Sequence, residues 1–351
     1  MRSRLVIALG IAVAAATALS AQPLYQLHDN GNLWVNTGIP CNGASCPGWR
    51  LLDNNPGTRE VTAGGLPAGG FDSTKAAPLA PRLYQRRADG KIWRYTGTPC
   101  RDGSCPGWEL LDDNALTVSI AAAGTDKERL YQRRRNGTIW SFTGTPCAGG
   151  SCPGWQRLDD NPDTAEIIAA GAELYQRHND GKVRRYTGTP CSDTSCPGWE
   201  LLDDNPSTRE ITAGMQGDAA VLYQRRADGK ILRYTGTPCA GASCPGWQLL
   251  DSDTRTISIA TGGNHLYQLR DDGAISVYTG RPCDGSSCPG WQLLGNDPRT
   301  RQIATGPSSL YRRHDDGAIW RYTGPPCKDG SCPGWQLLDK NPERTISSSR
   351  N

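Results

Sequence analysis

The stretch "LYQRRADGKIWRYTGTPCRDGSCPGWELLDDN", residues 83–114, alternates apolar and polar side chains on both sides of Ala88-Asp89-Gly90. That period belongs to half-buried strands and not to a helix. Asp-Gly between two such runs marks a hairpin, because tight primed turns need φ above zero. A loop with Cys100 and Cys105 follows, then Pro-Gly-Trp and a third strand around "GWELL". Asp112-Asp113-Asn114 then makes a turn.

The same unit recurs. The tyrosine of each "LY" (Tyr25, Tyr84, Tyr131, Tyr175, Tyr223, Tyr267, Tyr311) returns at steps of 59, 47, 44, 48, 44 and 44 residues. Every unit repeats the Asx-Gly: Asn30-Gly31, Asp89-Gly90, Asn136-Gly137, Asp180-Gly181, Asp228-Gly229, Asp272-Gly273 and Asp316-Gly317. This period suits a four-stranded blade and predicts an all-β, seven-bladed β-propeller over residues 22–351. Runs such as "REITAG" end in small residues and are expected innermost, with "LYQRR" second, "KIWRY" third and "GWQLL" outermost. The chain opens at a second strand ("PLYQLH") and ends in "RTISSS", which reads as an inner strand. Pairing the two would close the ring and remove free sheet edges. Residues 66–82 form a Pro/Ala/Gly-rich insertion ahead of Leu83, expected as a surface loop or a partial cover of the central opening.

Residues 1–21 carry two arginines, an apolar run and small residues before a cut after Ala21, the pattern of a secretory signal peptide. No other stretch is apolar enough to span a bilayer as a helix. Removing the leader takes Arg2 and Arg4 from 38 basic residues and leaves 36 against 35 acidic ones. Such balance offers no basic field of the kind nucleic-acid binders use. All 14 cysteines fall in Cys-x-x-x-x-Cys pairs. In an exported chain these read as local disulfides: Cys41 with Cys46, Cys100 with Cys105, Cys147 with Cys152, Cys191 with Cys196, Cys239 with Cys244, Cys283 with Cys288, and Cys327 with Cys332. Zinc is the lesser alternative, since seven pairs cannot all be shared two by two and no Cys-x-x-Cys or nearby histidine accompanies them.

The unit "LYQ…DG.IW.YTG…GW..LD.NP.T…AG" resembles the repeats of the tectonin and tachylectin type of β-propeller lectins, including seven-bladed secreted bacterial and fungal members. The likeness runs through residues 22–351. It implies a secreted, multivalent carbohydrate-binding protein that takes glycans or glycoconjugates at shallow sites repeated around the ring, commonly between neighbouring blades. No cofactor or metal is expected.

In an up-and-down blade the Asx-Gly hairpin and the Asp-Asn-Pro turn emerge on one face, the cysteine loop and the inner Ala-Gly loop on the other. The first face gathers short polar groups together with His28, Arg87, Arg134, His178, Arg226, Arg270 and His314, placed just before each hairpin. These are candidate sugar ligands or simply a solvated turn face. The tryptophans divide into two sets. Trp49, Trp108, Trp155, Trp199, Trp247, Trp291 and Trp335 occur in every unit and suit a plug between blades. Trp34, Trp93, Trp140 and Trp320 are replaced by Arg184, Leu232 and Ser276 in the other three units. A fully buried indole would not tolerate such exchange, so this second set is expected to be partly exposed. With Arg94 and Arg321 beside two of them, they are either sugar-stacking platforms or tolerant packing positions. A hydrolase needs one asymmetric residue set, whereas the acids, arginines and aromatics here recur with the period; a binding protein and not an enzyme is expected. A secreted structural or protein-binding propeller is the alternative.

Overall fold

The computed structural model describes residues 24–64, 82–124, 128–306, 309–340 and, in its backbone, 344–348. The expected leader and residues 66–81 of the insertion lie outside the described residues. Seven four-stranded antiparallel sheets stand around a ring. Blade 2 shows the order: Thr58–Gly64 innermost, then Arg82–Arg87, Ile92–Tyr95 and Trp108–Asp112 at the rim. Blades 3 to 7 repeat it over residues 117–159, 164–203, 208–251, 256–296 and 300–339.

Blade 1 takes three strands from the start of the chain and its inner strand from the end. Arg344–Ser348 pairs antiparallel with Leu24–His28, with Gln26 opposite Ile346. The ring is therefore closed by both termini, as the phase of the repeat required.

The hairpin turn differs from the expected primed type. Gly90 N donates to Arg87 O and Arg87 N to Lys91 O, both at 2.9 Å, which encloses a three-residue loop. Only the glycine takes positive φ, at 83°. This is a type I turn followed by a left-handed glycine, the next commonest hairpin solution. The Asx residue serves instead as an acceptor: Asp89 Oδ1 takes the Lys91 amide at 3.2 Å, and all seven units repeat that contact. A Cβ on Gly90 would lie 2.3 Å from Asn114 O, so glycine also lets the hairpin rest on the outer turn of its own blade. The two turns thus share a face.

The core lies between blades. Ile139 and Leu158 of blade 3 pack on Ile167 and Leu174 of blade 4, and equivalent clusters fill the other interfaces. The seven "LY" tyrosines are all buried there. Each fully buried Leu or Ile contributes about 1.5–3 kcal/mol.

Candidate functional site

The seven disulfides join the cysteines within each unit as expected, and among the described residues no cysteine is free. Their loops do not stay on the face opposite the hairpins. Cys100 N donates to Leu51 O at the middle of the outer strand of blade 1. Farther out, Asn54 Nδ2 donates to Gly103 O at 3.0 Å, and Asn54 follows directly on the turn-face end of that strand. The loop therefore leaves one face and folds back along the rim until its tip reaches the other. All seven loops hold the preceding blade by the same cysteine amide, with Cys41 N reaching Leu337 O across the ring closure.

The Pro-Gly-Trp residues complete this clasp. Trp108 Nε1 donates to Leu52 O of blade 1 at 3.0 Å, and its six equivalents do the same to the blade before them. A Cβ on Gly107 would sit 2.0 Å from Thr98 O, so only glycine lets the loop close on itself before the indole. These tryptophans are plugs between blades, as their presence in every unit required.

Behind the clasp between blades 3 and 4 lies a recess, a cavity of about 520 Å³ lined by Asp159, Asp160 and Asn161 on one side and by Gln176, Arg184 and Trp199 on the other. Arg184 occupies the position held in four other units by Trp34, Trp93, Trp140 and Trp320, all of them half-buried. Leu232 and Ser276 at the remaining two are buried.

The residue before each hairpin lies against the indole. Arg87 stacks 4.5 Å from the ring of Trp93 and Arg134 4.3 Å from that of Trp140. His28 and His314 lie 5.9 and 5.8 Å from Trp34 and Trp320. His28, His178 and His314 are buried, so they back the recess and do not reach out from the turn face as solvated ligands. Arg87 also pairs with Asp53 of blade 1 at 3.4 Å. Arg94 and Arg321 are not at the indoles. Adjacent strand residues point to opposite sides of a sheet, and Arg94 is bound to Glu109 and Glu128 while Arg321 donates to Gln336.

The deepest polar layer was not singled out from the sequence. Thr58 Oγ1 lies 2.8 Å from Gln85 Oε1 and 3.3 Å from Asp53 Oδ2, all three buried. The pattern recurs: Gln176 Nε2 donates to Asp159 Oδ2 at 3.0 Å, and across the closure Gln26 Nε2 donates to Asp339 Oδ2 at 2.8 Å. The signal was available as the recurring glutamine of "LYQ", the aspartate of "LLD" and the threonine opening each inner strand. Burial pushes the carboxyls of Asp112, Asp159 and Asp251 above the usual range. It pushes the imidazoles of His178 and His314 below theirs, helped by Arg184 and Arg312.

Asp112 and Asp113 lie with Cys152, Asp159 and Asp160 with Cys196, and Asp203 and Asp204 with Cys244, in metal-like groupings. The disulfides remove the thiolate a metal would need, which leaves two carboxylates at each place. Among the described residues no helix is long and apolar enough to cross a membrane.

Fold and recesses together define a seven-bladed β-propeller built of disulfide-stapled repeats. No family model matches the chain, and no curated protein does. Solved structures do. Prp20p from Saccharomyces cerevisiae is 12% identical, with a TM-score of 0.53 over 95% of this chain and 93% of that one. Human WBSCR16 is 11% identical, with a TM-score of 0.50 over 93% and 94%. Likeness at this identity is of fold alone.

Proposed function

We propose that the protein is a secreted, multivalent carbohydrate-binding protein, a lectin, whose sites are the recesses between neighbouring blades. The observation that carries this reading is the half-buried indole at four of the seven blade junctions, each with an arginine or histidine against its ring. A flat ring with one part open suits the C–H face of a pyranose. The carboxylates, amides and backbone groups across the recess offer both hydrogen-bond roles to hydroxyls. Export is supported by the leader-like first 21 residues and by fourteen cysteines all held in disulfides. Binding without catalysis fits recesses whose acids repeat around the ring with no single asymmetric set. Four weak sites acting together strengthen attachment to a glycan-coated surface by about 10²-fold or more.

The test is a glycan array on the protein lacking residues 1–21, repeated with Trp34, Trp93, Trp140 and Trp320 all changed to Ala. Loss of glycan retention with the melting temperature held is the expected result. Equal loss of both makes the indoles packing residues. A protein that retains no glycan on the array but captures a protein partner is a binding propeller of another kind.

A further inference from the structure

One junction between blades departs from the other six. Between blades 6 and 7, Gly295 stands where the outer-strand aspartate stands elsewhere, and Arg312 stands where the glutamine stands. Gln26, Gln85, Gln132, Gln176, Gln224 and Gln268 fill that second position in the other units. We propose that this junction binds the carboxylate of an acidic saccharide, a uronic acid residue, on the guanidinium of Arg312. The inference rests on the lectin reading and adds a ligand class to one of its sites.

The double exchange removes the glutamine that the threonine of the inner strand meets in five other blades. Thr58, Thr117, Thr164, Thr208 and Thr256 each engage their glutamine, at 2.5 to 3.0 Å. Thr300, in the same place in blade 7, has a buried hydroxyl without a hydrogen-bond partner. Arg312 is only 7% exposed, and its Nε has no partner either. The guanidinium extends into the place the missing carboxylate would take: a Cβ on Gly295 would lie 3.3 Å from Arg312 Nη1. Aromatic rings flank it, with Trp335 centred 4.4 Å and Trp320 5.5 Å from its central carbon.

No carboxylate among the described residues pairs with it. Asp297 is the nearest candidate, but Arg299 holds both its oxygens, Nε to Oδ1 at 3.1 Å and Nη2 to Oδ2 at 2.8 Å. Burial pulls Arg312 down only to about 10, so it stays charged at neutral pH. Asp297 attracts Arg312 without reaching it as an ion pair, and a buried charge with no carboxylate in contact is costly. An incoming carboxylate supplies that counterion and matches the guanidinium fork with two parallel hydrogen bonds. Trp320, half-buried at the mouth, offers the same stacking surface as the other three indoles.

Titration calorimetry with methyl glucuronide and methyl glucoside tests this, with acetate and sulfate as simple anions. The protein is expected to prefer the glucuronide by about 10-fold or more, the range of a charge-assisted hydrogen bond. Neither simple anion is expected to reach the glucuronide's affinity. The double variant G295D/R312Q restores the pair present at the other six junctions, so it should fold and lose the preference. R312K keeps the charge without the fork and should lose most of it. Both sugars bound alike, or a preference kept by G295D/R312Q, overturns the acidic-sugar site and leaves the lectin reading standing. Neither sugar bound overturns the acidic-sugar site, and the glycan array decides the lectin reading by itself. Acetate or sulfate bound as tightly as the glucuronide makes this an anion site with no saccharide specificity and overturns the proposal.

Discussion

Trp93 and Arg94 are consecutive in sequence but face opposite sides of the sheet, the indole toward the recess and the guanidinium toward Glu109 and Glu128. The partner of the indole is Arg87, on the neighbouring strand and beyond the hairpin. Which tryptophans are partly exposed could be read from their exchange for Arg184, Leu232 and Ser276. What lies against them could not, because cross-strand register depends on a turn whose type the Asx-Gly pair alone leaves open. The buried histidines show the same limit, since nothing local in "LYQRH" distinguishes a solvated side chain from one covered by a neighbouring blade. Their burial has a pH consequence. His178 and His314 have pKa values lowered below the ordinary 6.5. The unfolded chain then binds more protons between the folded value and 6.5, so stability is full above 6.5 and is lost as pH falls through that window. Asp112, Asp159 and Asp251 are raised above 3.8, so their effect runs the other way and at lower pH. Thermal melts from pH 7.5 to 5 should therefore show a falling melting temperature, and the double variant H178Q/H314Q should flatten the curve. An unchanged slope in the variant would remove the histidines from the account.

At the scale of the element, the cysteine loop carries more of the structure than its pairing suggests. Strand order correctly places its exit on the face away from the hairpins. It does not foresee the return along the rim, which is set by the contact of Cys100 N with Leu51 O on another blade. Contacts between units are the part of a repeat protein that one unit's sequence records least, although the constant Trp after Pro-Gly recorded the plug. The disulfide spans a sequence separation of 5, and closing so small a loop stabilises by about 2 kcal/mol. Changing Cys100 and Cys105 to Ser should cost about that much in denaturant unfolding and speed hydrogen exchange at the residue-100 amide. Trp108→Ala removes an interblade plug together with its bond to Leu52 O, and should cost about 3–5 kcal/mol. If removing the disulfide left that exchange rate unchanged, the loop would be held by its backbone bonds and not by the sulfurs.

The whole molecule depends on a closure made from its two ends. The inner strand of blade 1, Arg344–Ser348, is the last described strand and pairs with the first, from Leu24 opposite Ser348 to His28 opposite Arg344. A second closure lies at the rim, where Cys41 N bonds to Leu337 O at 3.2 Å and Trp49 Nε1 to Leu338 O at 3.1 Å. The two differ in kind. The rim clasp is the same one that joins every neighbouring pair of blades, so it adds nothing special at the junction. The strand exchange is unique to the junction, and without it Leu24–His28 becomes an open edge with unpaired backbone groups facing the centre. Open edges recruit other chains. A chain ending at residue 343 should therefore melt at a lower temperature and run as oligomers or aggregate in size-exclusion chromatography. Trp155→Ala, which weakens an ordinary junction between blades 2 and 3, should lower stability by a similar few kcal/mol yet remain monomeric. That contrast separates loss of closure from loss of stability. A truncated chain that stays monomeric with an unaltered melting temperature would mean that the rim clasp alone closes the ring.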